Sequence, residues 1–311
     1  MNNFKKTKWT NEELNTLKEL YLSKTIKEIS QLLNRSPSAI RNKKWEIGIT
    51  GYVQEERKYY YNKDFFQNID SEDKAYWLGF VAADGGIYYQ PQNCSSEVTI
   101  KLKSTDFKHL KKFNKSLEGN LPVTFSERIC SLNNKPQHSC QIRVYSKKMA
   151  EDLINLGMCQ NKTFVLNVPD IPNELYSHFI RGYFDGDGCI ALNSKKREDL
   201  QINFCSASLQ FLEKVREILY QHNISSYIVD ESNRTTYRLY IKGLNNCNNM
   251  INYMFGDCSV YLDRKLYKLN TLYKKYNIPH RLLPHSEMSG FLFSEKEIGK
   301  AEMPIRVEGC A

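Results

Sequence analysis

Two short stretches of this chain constrain its fold more than anything else in it. Residues 76–87 read YWLGFVAADGGI and residues 179–190 read FIRGYFDGDGCI. In register, Gly79 matches Gly182, Ala83 matches Gly186, Asp84 matches Asp187 and Gly85 matches Gly188. Gly79 and Ala83 are four residues apart, as are Gly182 and Gly186, so each pair lines one side of a helix. Small residues at that spacing let two helix backbones come close. Around them stand Tyr76, Trp77, Leu78, Phe80 and Val81 in the first copy and Phe179, Ile180, Tyr183 and Phe184 in the second. A helix apolar nearly all round is buried. Two such helices, crossing at a repeat interface of Gly79, Ala83, Gly182 and Gly186, would bring Asp84 and Asp187 to one end. Helix C-termini carry partial negative charge, so two carboxylates there call for a positive partner. A shared divalent cation supplies one.

The similarity continues downstream. IKLKSTDFKHLKKF (100–113) lies against INFCSASLQFLEKV (202–215), each a short strand turning into an amphipathic helix. CQIRVYSKKMAEDLINLG and TYRLYIKGLNNCNNMINYM follow, again strand then helix. The expected fold is α+β: two pseudo-symmetric αββαββα repeats at residues 71–166 and 167–276, with strands near 85–103, 123–145, 188–206 and 224–242. Two copies in one chain suggest a body built as a homodimer would be.

A separate module precedes them at residues 1–50. Thr10 with Glu13 and Thr25 with Glu28 each spell a capping box, and Ser36-Pro37 supplies an N-cap followed by proline. Gly48 is placed to end the third helix. Leu14, Leu17, Leu20, Ile26, Ile29, Leu32, Ile40 and Trp45, with Trp9 outside, can close one small three-helix core resembling a helix-turn-helix. The third helix carries Ser38, Arg41, Asn42, Lys43 and Lys44, residue types suited to phosphates and base edges. Lys and Arg outnumber Asp and Glu 13 to 7 over residues 1–63, within a chain of net charge +9, which suggests a polyanionic partner. A protein-interaction domain with a solvated basic face is the alternative. Residues 51–70 read as a linker, and residues 277–311 as a tail belonging to neither repeat.

At these residues the chain resembles a known family. Both stretches resemble the signature of LAGLIDADG homing endonucleases, over roughly residues 65–275, and two copies resemble its monomeric branch. RSPSAIRNKKWEIGI resembles Myb-like and helix-turn-helix modules attached to phage and mobile-element proteins. The resemblance implies a saddle-shaped DNA-binding surface and metal-dependent double-strand cleavage with short 3′ overhangs. It makes Asp84 and Asp187 the catalytic metal ligands, with backbone carbonyls of Ala83 and Gly186 as secondary ligands to Mg²⁺ or Mn²⁺. It points to Lys162 and Lys265 as basic residues of the site, the alternative for each being an ordinary surface lysine. Asp185 has only Ala82 as its counterpart and is expected to be dispensable. Lys101, Lys103, Arg143, Arg234 and Arg238 are the expected groove-facing residues on the strands. The partner is double-stranded DNA; a maturase binding intron RNA and a non-catalytic DNA-binding regulator are the rival readings.

Other chemistries fit less well. DGDGCIALNSKK has Cys189 and Lys196 where a calcium loop needs oxygen ligands. Cys130, His138 and Cys140 lack a fourth zinc ligand. No apolar run approaches a membrane span, no secretory signal is visible, and nine scattered cysteines favour reduced thiols. A cytosol or organelle matrix is therefore expected, with no membrane partner; that the chain is a monomer is what the resemblance implies.

Overall fold

The computed structural model describes residues 4–50, 58–90, 92, 96–131, 134–158, 165–192, 200–231 and 235–275. The chain divides into two units after Lys58. Expectations that fall on 51–57, Lys162, Arg234 and the 277–311 tail lie outside the described residues.

The first unit holds helices α1 (Asn11–Leu20), α2 (Ile26–Leu33) and α3 (Pro37–Glu46). Local chemistry sets their ends. Both capping boxes form, with Thr10 and Thr25 hydroxyls accepting from Glu13 and Glu28 amides and both glutamates reaching back. The Ser36 side chain accepts from Ala39 N ahead of Pro37, and Gly48 follows α3 at φ +69°. Leu17, Ile29, Leu33 and Ile40 are buried, with Trp9, Leu20, Ile26, Ile47 and Ile49 packed around them. Arg35, also buried, bonds Glu13 at 2.7 Å and the carbonyls of Thr7 and Lys8, under the Trp9 ring.

Two core assignments are corrected. Leu32 is 60% exposed and Trp45 86% exposed. In α2 the buried set is Ile29, Ser30 and Leu33, a face that leaves Leu32 turned outward. In α3 the buried positions are Ile40 and Lys44, so the next residue, Trp45, rotates away and Ile47 takes the core position.

The second unit starts earlier than expected. Phe65, Phe66 and Ile69, read as linker, are buried in its core. Its first repeat runs α4 (Glu72–Asp84), β1 (Gly85–Tyr88), β2 (Glu97–Lys103), α5 (Phe107–Ser116), β3 (Thr124–Ile129), β4 (Pro136–Val144) and α6 (Lys147–Asn155). Its second runs α7 (Tyr176–Asp187), β5 (Gly188–Leu192), β6 (Leu200–Ser206), α8 (Leu209–Gln221), β7 (Tyr227–Glu231), β8 (Thr236–Lys242) and α9 (Leu244–Phe255), with α10 (Asp263–Lys275) added. Each repeat contributes one antiparallel sheet of the same order, β1-β2-β4-β3 and β5-β6-β8-β7. The α+β class and the αββαββα order match expectation. Apolar faces of both sheets and the flanks of α4 and α7 form one continuous core.

Candidate functional site

The two motif helices meet at their glycines. A β-carbon on Gly79 would overlap the Phe179 carbonyl and sit 3.0 Å from Tyr183 N. One on Gly182 would overlap the Tyr76 carbonyl and sit 2.9 Å from Phe80 N. The contacts are reciprocal, as a pseudo-twofold axis through the crossing requires. One turn on, a β-carbon on Gly186 would strike Ala83 Cβ and come 3.3 Å from Asp84 Oδ2. Asp84 therefore abuts the residue just before Asp187.

Each aspartate is the last residue of its helix, and a strand begins at the next residue with no loop between. Glycine is needed at both corners, because a side chain at Gly85 would strike Val81 and one at Gly188 would strike Phe184. Asp84 is half-buried and Asp187 exposed, so the pair opens to solvent at the foot of the crossed helices. The donor set is oxygen only: two carboxylates and the terminal carbonyls of Ala83 and Gly186, at helix ends that favour positive charge. That set fits a hard divalent cation and offers nothing to a soft metal. Among the described residues no three or more His, Cys, Asp or Glu side chains, Cys130, His138 and Cys140 included, are grouped so as to hold a metal ion by themselves.

Lys265, in the first turn of α10, is buried beside this foot. Its ammonium donates to the carbonyls of Phe184 and, at 2.7 Å, Gly188. Burial pulls it down to about 8, opposed by the charges of Asp185 and Asp84. It is thus no ordinary surface lysine.

The sequence reading missed a buried polar chain behind the carboxylates. Asp185 is fully buried; its Oδ2 accepts from Tyr76 Oη and from Leu262 N, both at 2.7 Å. Burial raises its carboxyl above the ordinary range. His109 Nε2 stands 3.0 Å from the same Tyr76 oxygen. Arg181, also fully buried, bonds Glu72, Met254 O and Val260 O. The only signals were an arginine inside an apolar motif and an acid opposite Ala82.

His109 gives a pH prediction. Burial, then the charges of Lys112 and Arg264, hold its imidazole neutral well below its ordinary 6.5. The unfolded chain takes up that proton near 6.5 and the folded chain does not. Stability is therefore intact above 6.5 and falls as pH drops below it, by about 1.4 kcal/mol per unit. Thermal or urea melts across this range should show the slope. His109→Gln, which keeps an N–H for Tyr76, should flatten it by that amount; an unchanged slope would contradict a neutral His109.

On the first sheet Lys101, Lys103 and Arg143 are exposed, on the side opposite buried Ile100, Leu102 and Ile142. Arg143 lies 3.6 Å from Glu97. Arg238 is half-buried and paired with Glu231 at 2.8 Å. In the first unit Ser38, Arg41 and Asn42 are exposed, but Lys44 is buried with its ammonium over Tyr21, and Lys43 pairs with Glu46 at 2.5 Å. The open face of α3 is therefore Ser38, Arg41, Asn42 and Trp45, and Lys44 is off it.

Fold and site together define a class: two αββαββα repeats in one chain, joined through glycine-bearing helices that set paired aspartates at their foot. A family model described as LAGLIDADG-like domain matches residues 174–252, which lie within the second repeat. An intron-encoded DNA endonuclease, ai2b, of Dictyostelium discoideum is 24% identical over 163 residues, 49% of this chain and 60% of that one. The chain spans smaller shares of the other curated relatives it matches, among them 16% of the DNA-directed RNA polymerase subunit Rpo1C of Methanocaldococcus jannaschii, at 28% identity over 155 residues and 50% of this chain. Of solved structures, the homing endonuclease I-WcaI bound to its DNA recognition sequence aligns at 14% identity and TM-score 0.47, covering 78% of this chain and 99% of that one. Among the described residues no helix is long and apolar enough to cross a membrane.

Proposed function

We propose that this protein is a site-specific, divalent-cation-dependent DNA endonuclease of a mobile intron or free-standing element, acting as a monomer. The observation that carries the reading is the abutment of Asp84 on Gly186, the residue just before Asp187, at the foot of the two crossed helices. The LAGLIDADG-like second repeat and the likeness to an intron-encoded DNA endonuclease support it.

Asp84 and Asp187, with the Ala83 and Gly186 carbonyls, would hold a cation of the Mg²⁺ or Mn²⁺ kind. Such a cation supplies Lewis acidity at a phosphate oxygen and lowers the pKa of bound water. The chain's own groups do the rest. Each aspartate serves the strand nearest its repeat, so two half-sites yield a double-strand break. Lys265 offsets the carboxylate charge at the site and braces the corner that carries Asp187. Lys162 is assigned the matching role in the first half. Lys101, Lys103 and Arg143 form the outward row that meets the duplex, joined by Arg238 from the second sheet, and Arg234 is assigned the same role.

The first unit is proposed to lengthen the recognition site by placing α3 in a major groove. Arg41 is the expected phosphate or guanine contact, and Trp45 an apolar contact to a thymine methyl. Arg41→Ala should weaken binding about tenfold and lower the salt slope by about one. Trp45→Ala should cost less on average but relax preference at a single base pair. Filter binding across salt and a randomised site reads both, and no change in either would remove α3 from the DNA.

The deciding experiment is a library of duplexes incubated with the protein in Mg²⁺, with and without chelator. Sequence-specific double-strand breaks abolished by the chelator are expected. Specific binding without cleavage in Mg²⁺ or Mn²⁺ would overturn the enzyme in favour of a regulator. Binding to a structured intron RNA that speeds its splicing would establish the maturase instead.

A further inference from the structure

We propose that Asp185 is a positioning residue which, through Leu262 and Lys265, holds the corner carrying Asp187 and thereby makes the two halves of the site unequal. Its catalytic consequence rests on the endonuclease reading; the positioning itself does not.

The helix crossing has no need of a carboxylate at this place. The matching residue of α4 is Ala82, also buried, and a methyl group completes the packing there. Burying a carboxylate is costly unless it is bonded, and Asp185 takes both of its bonds on Oδ2, leaving the buried Oδ1 without a hydrogen-bond partner. Asp185 is therefore present for its partners. One is Tyr76, on the opposite motif helix. The other is the amide of Leu262, the residue just before α10. An acid that accepts from an amide at a helix start is favoured by the helix dipole, and it fixes where the helix begins.

From that start the geometry runs on. The Leu262 carbonyl receives the Lys265 and Leu266 amides, which opens the first turn of α10. That turn carries the Lys265 ammonium onto the carbonyls of Phe184 and Gly188. These bracket Asp187, one from the preceding turn of α7 and the other from the residue after it. A cation on the last carbonyls of a helix stabilises that end. The charge of Asp185 is also foremost among those keeping the buried Lys265 protonated. Removing Asp185 would take away both the anchor of α10 and the counter-charge of its lysine. In the first repeat Ala82 can play neither part.

The test uses the full chain and two independent readouts. Lys265 is buried and bonded, so acetic anhydride should label it slowly, with exposed Lys101 as the internal reference. Asp185→Ala should speed that labelling about tenfold or more, the equivalent of one charge-assisted hydrogen bond. Asp185→Asn keeps an acceptor for Leu262 but loses the charge, and should fall between the two. On plasmid DNA the wild type should give linear product, whereas Asp185→Ala should accumulate nicked circles with the same strand always intact. Unchanged labelling, or equal slowing on both strands, would overturn the proposal. Faster labelling in Asp185→Ala, alongside a wild type that cuts no DNA, would sink the nuclease reading and leave the positioning standing. If Asp185→Ala does not fold, Asp185→Asn decides by the same two measurements.

Discussion

Replacing Gly182 with alanine is expected to destabilise the second unit by about 3 kcal/mol or more, although the same change inside an ordinary helix adds about 0.5–1 kcal/mol. The reversal of sign is the test of close backbone approach. The new methyl would overlap the carbonyl of Tyr76, which belongs to a buried helix and has no rotamer to yield. The helices must separate, and every side chain packed along them must follow, because interiors transmit such strain. Gly79→Ala should cost a similar amount against the Phe179 carbonyl. The double variant should cost less than the two costs combined, since one separation makes room for both methyls. One turn on, the obstacle to Gly186→Ala is the side chain of Ala83, so Ala83→Gly should largely restore its stability. Urea melts of these five variants measure the set. A neutral or stabilising Gly182→Ala would mean that the helices do not meet at these residues.

The glycine crossing was readable because it is written twice, at one helical spacing, in stretches that match position by position. Helix ends in the first unit were readable for a different reason: capping boxes act over three residues and owe nothing to the tertiary fold. The face of α3 was harder. Over ten residues with Lys43, Lys44 and Trp45 in succession, periodicity does not say which one turns inward. The fold buries the stem of Lys44 against Tyr21 and leaves Trp45 out, so a basic residue and an aromatic exchange their expected places. The chain behind the carboxylates was least legible. Asp185 meets Tyr76 and Leu262, and Arg181 meets Glu72, across separations that no local pattern encodes. An acid opposite Ala82 looked expendable because the comparison was made within the repeat. The amide that bonds it belongs to Leu262, just ahead of α10, which follows the second repeat.

Asp84→Asn and Asp187→Asn are each expected to lower cleavage by about a thousandfold or more while leaving DNA binding within about threefold. Asparagine keeps the shape and an acceptor oxygen, so a loss of this size would belong to the charge that holds a cation. Stability should move the other way. Each aspartate ends a helix whose terminus already carries partial negative charge, an arrangement that costs about 0.3–1 kcal/mol. Removing the charge should therefore raise the melting temperature in chelator, by the equivalent of at most that amount. Adding Mg²⁺ should stabilise the wild type by mass action and the variants much less. Activity lost, metal-free stability gained and metal-induced stability removed form a combination that a structural aspartate would not give. An Asp84→Asn or Asp187→Asn protein that still cuts both strands at the wild-type rate would show that the paired carboxylates are not the catalytic centre.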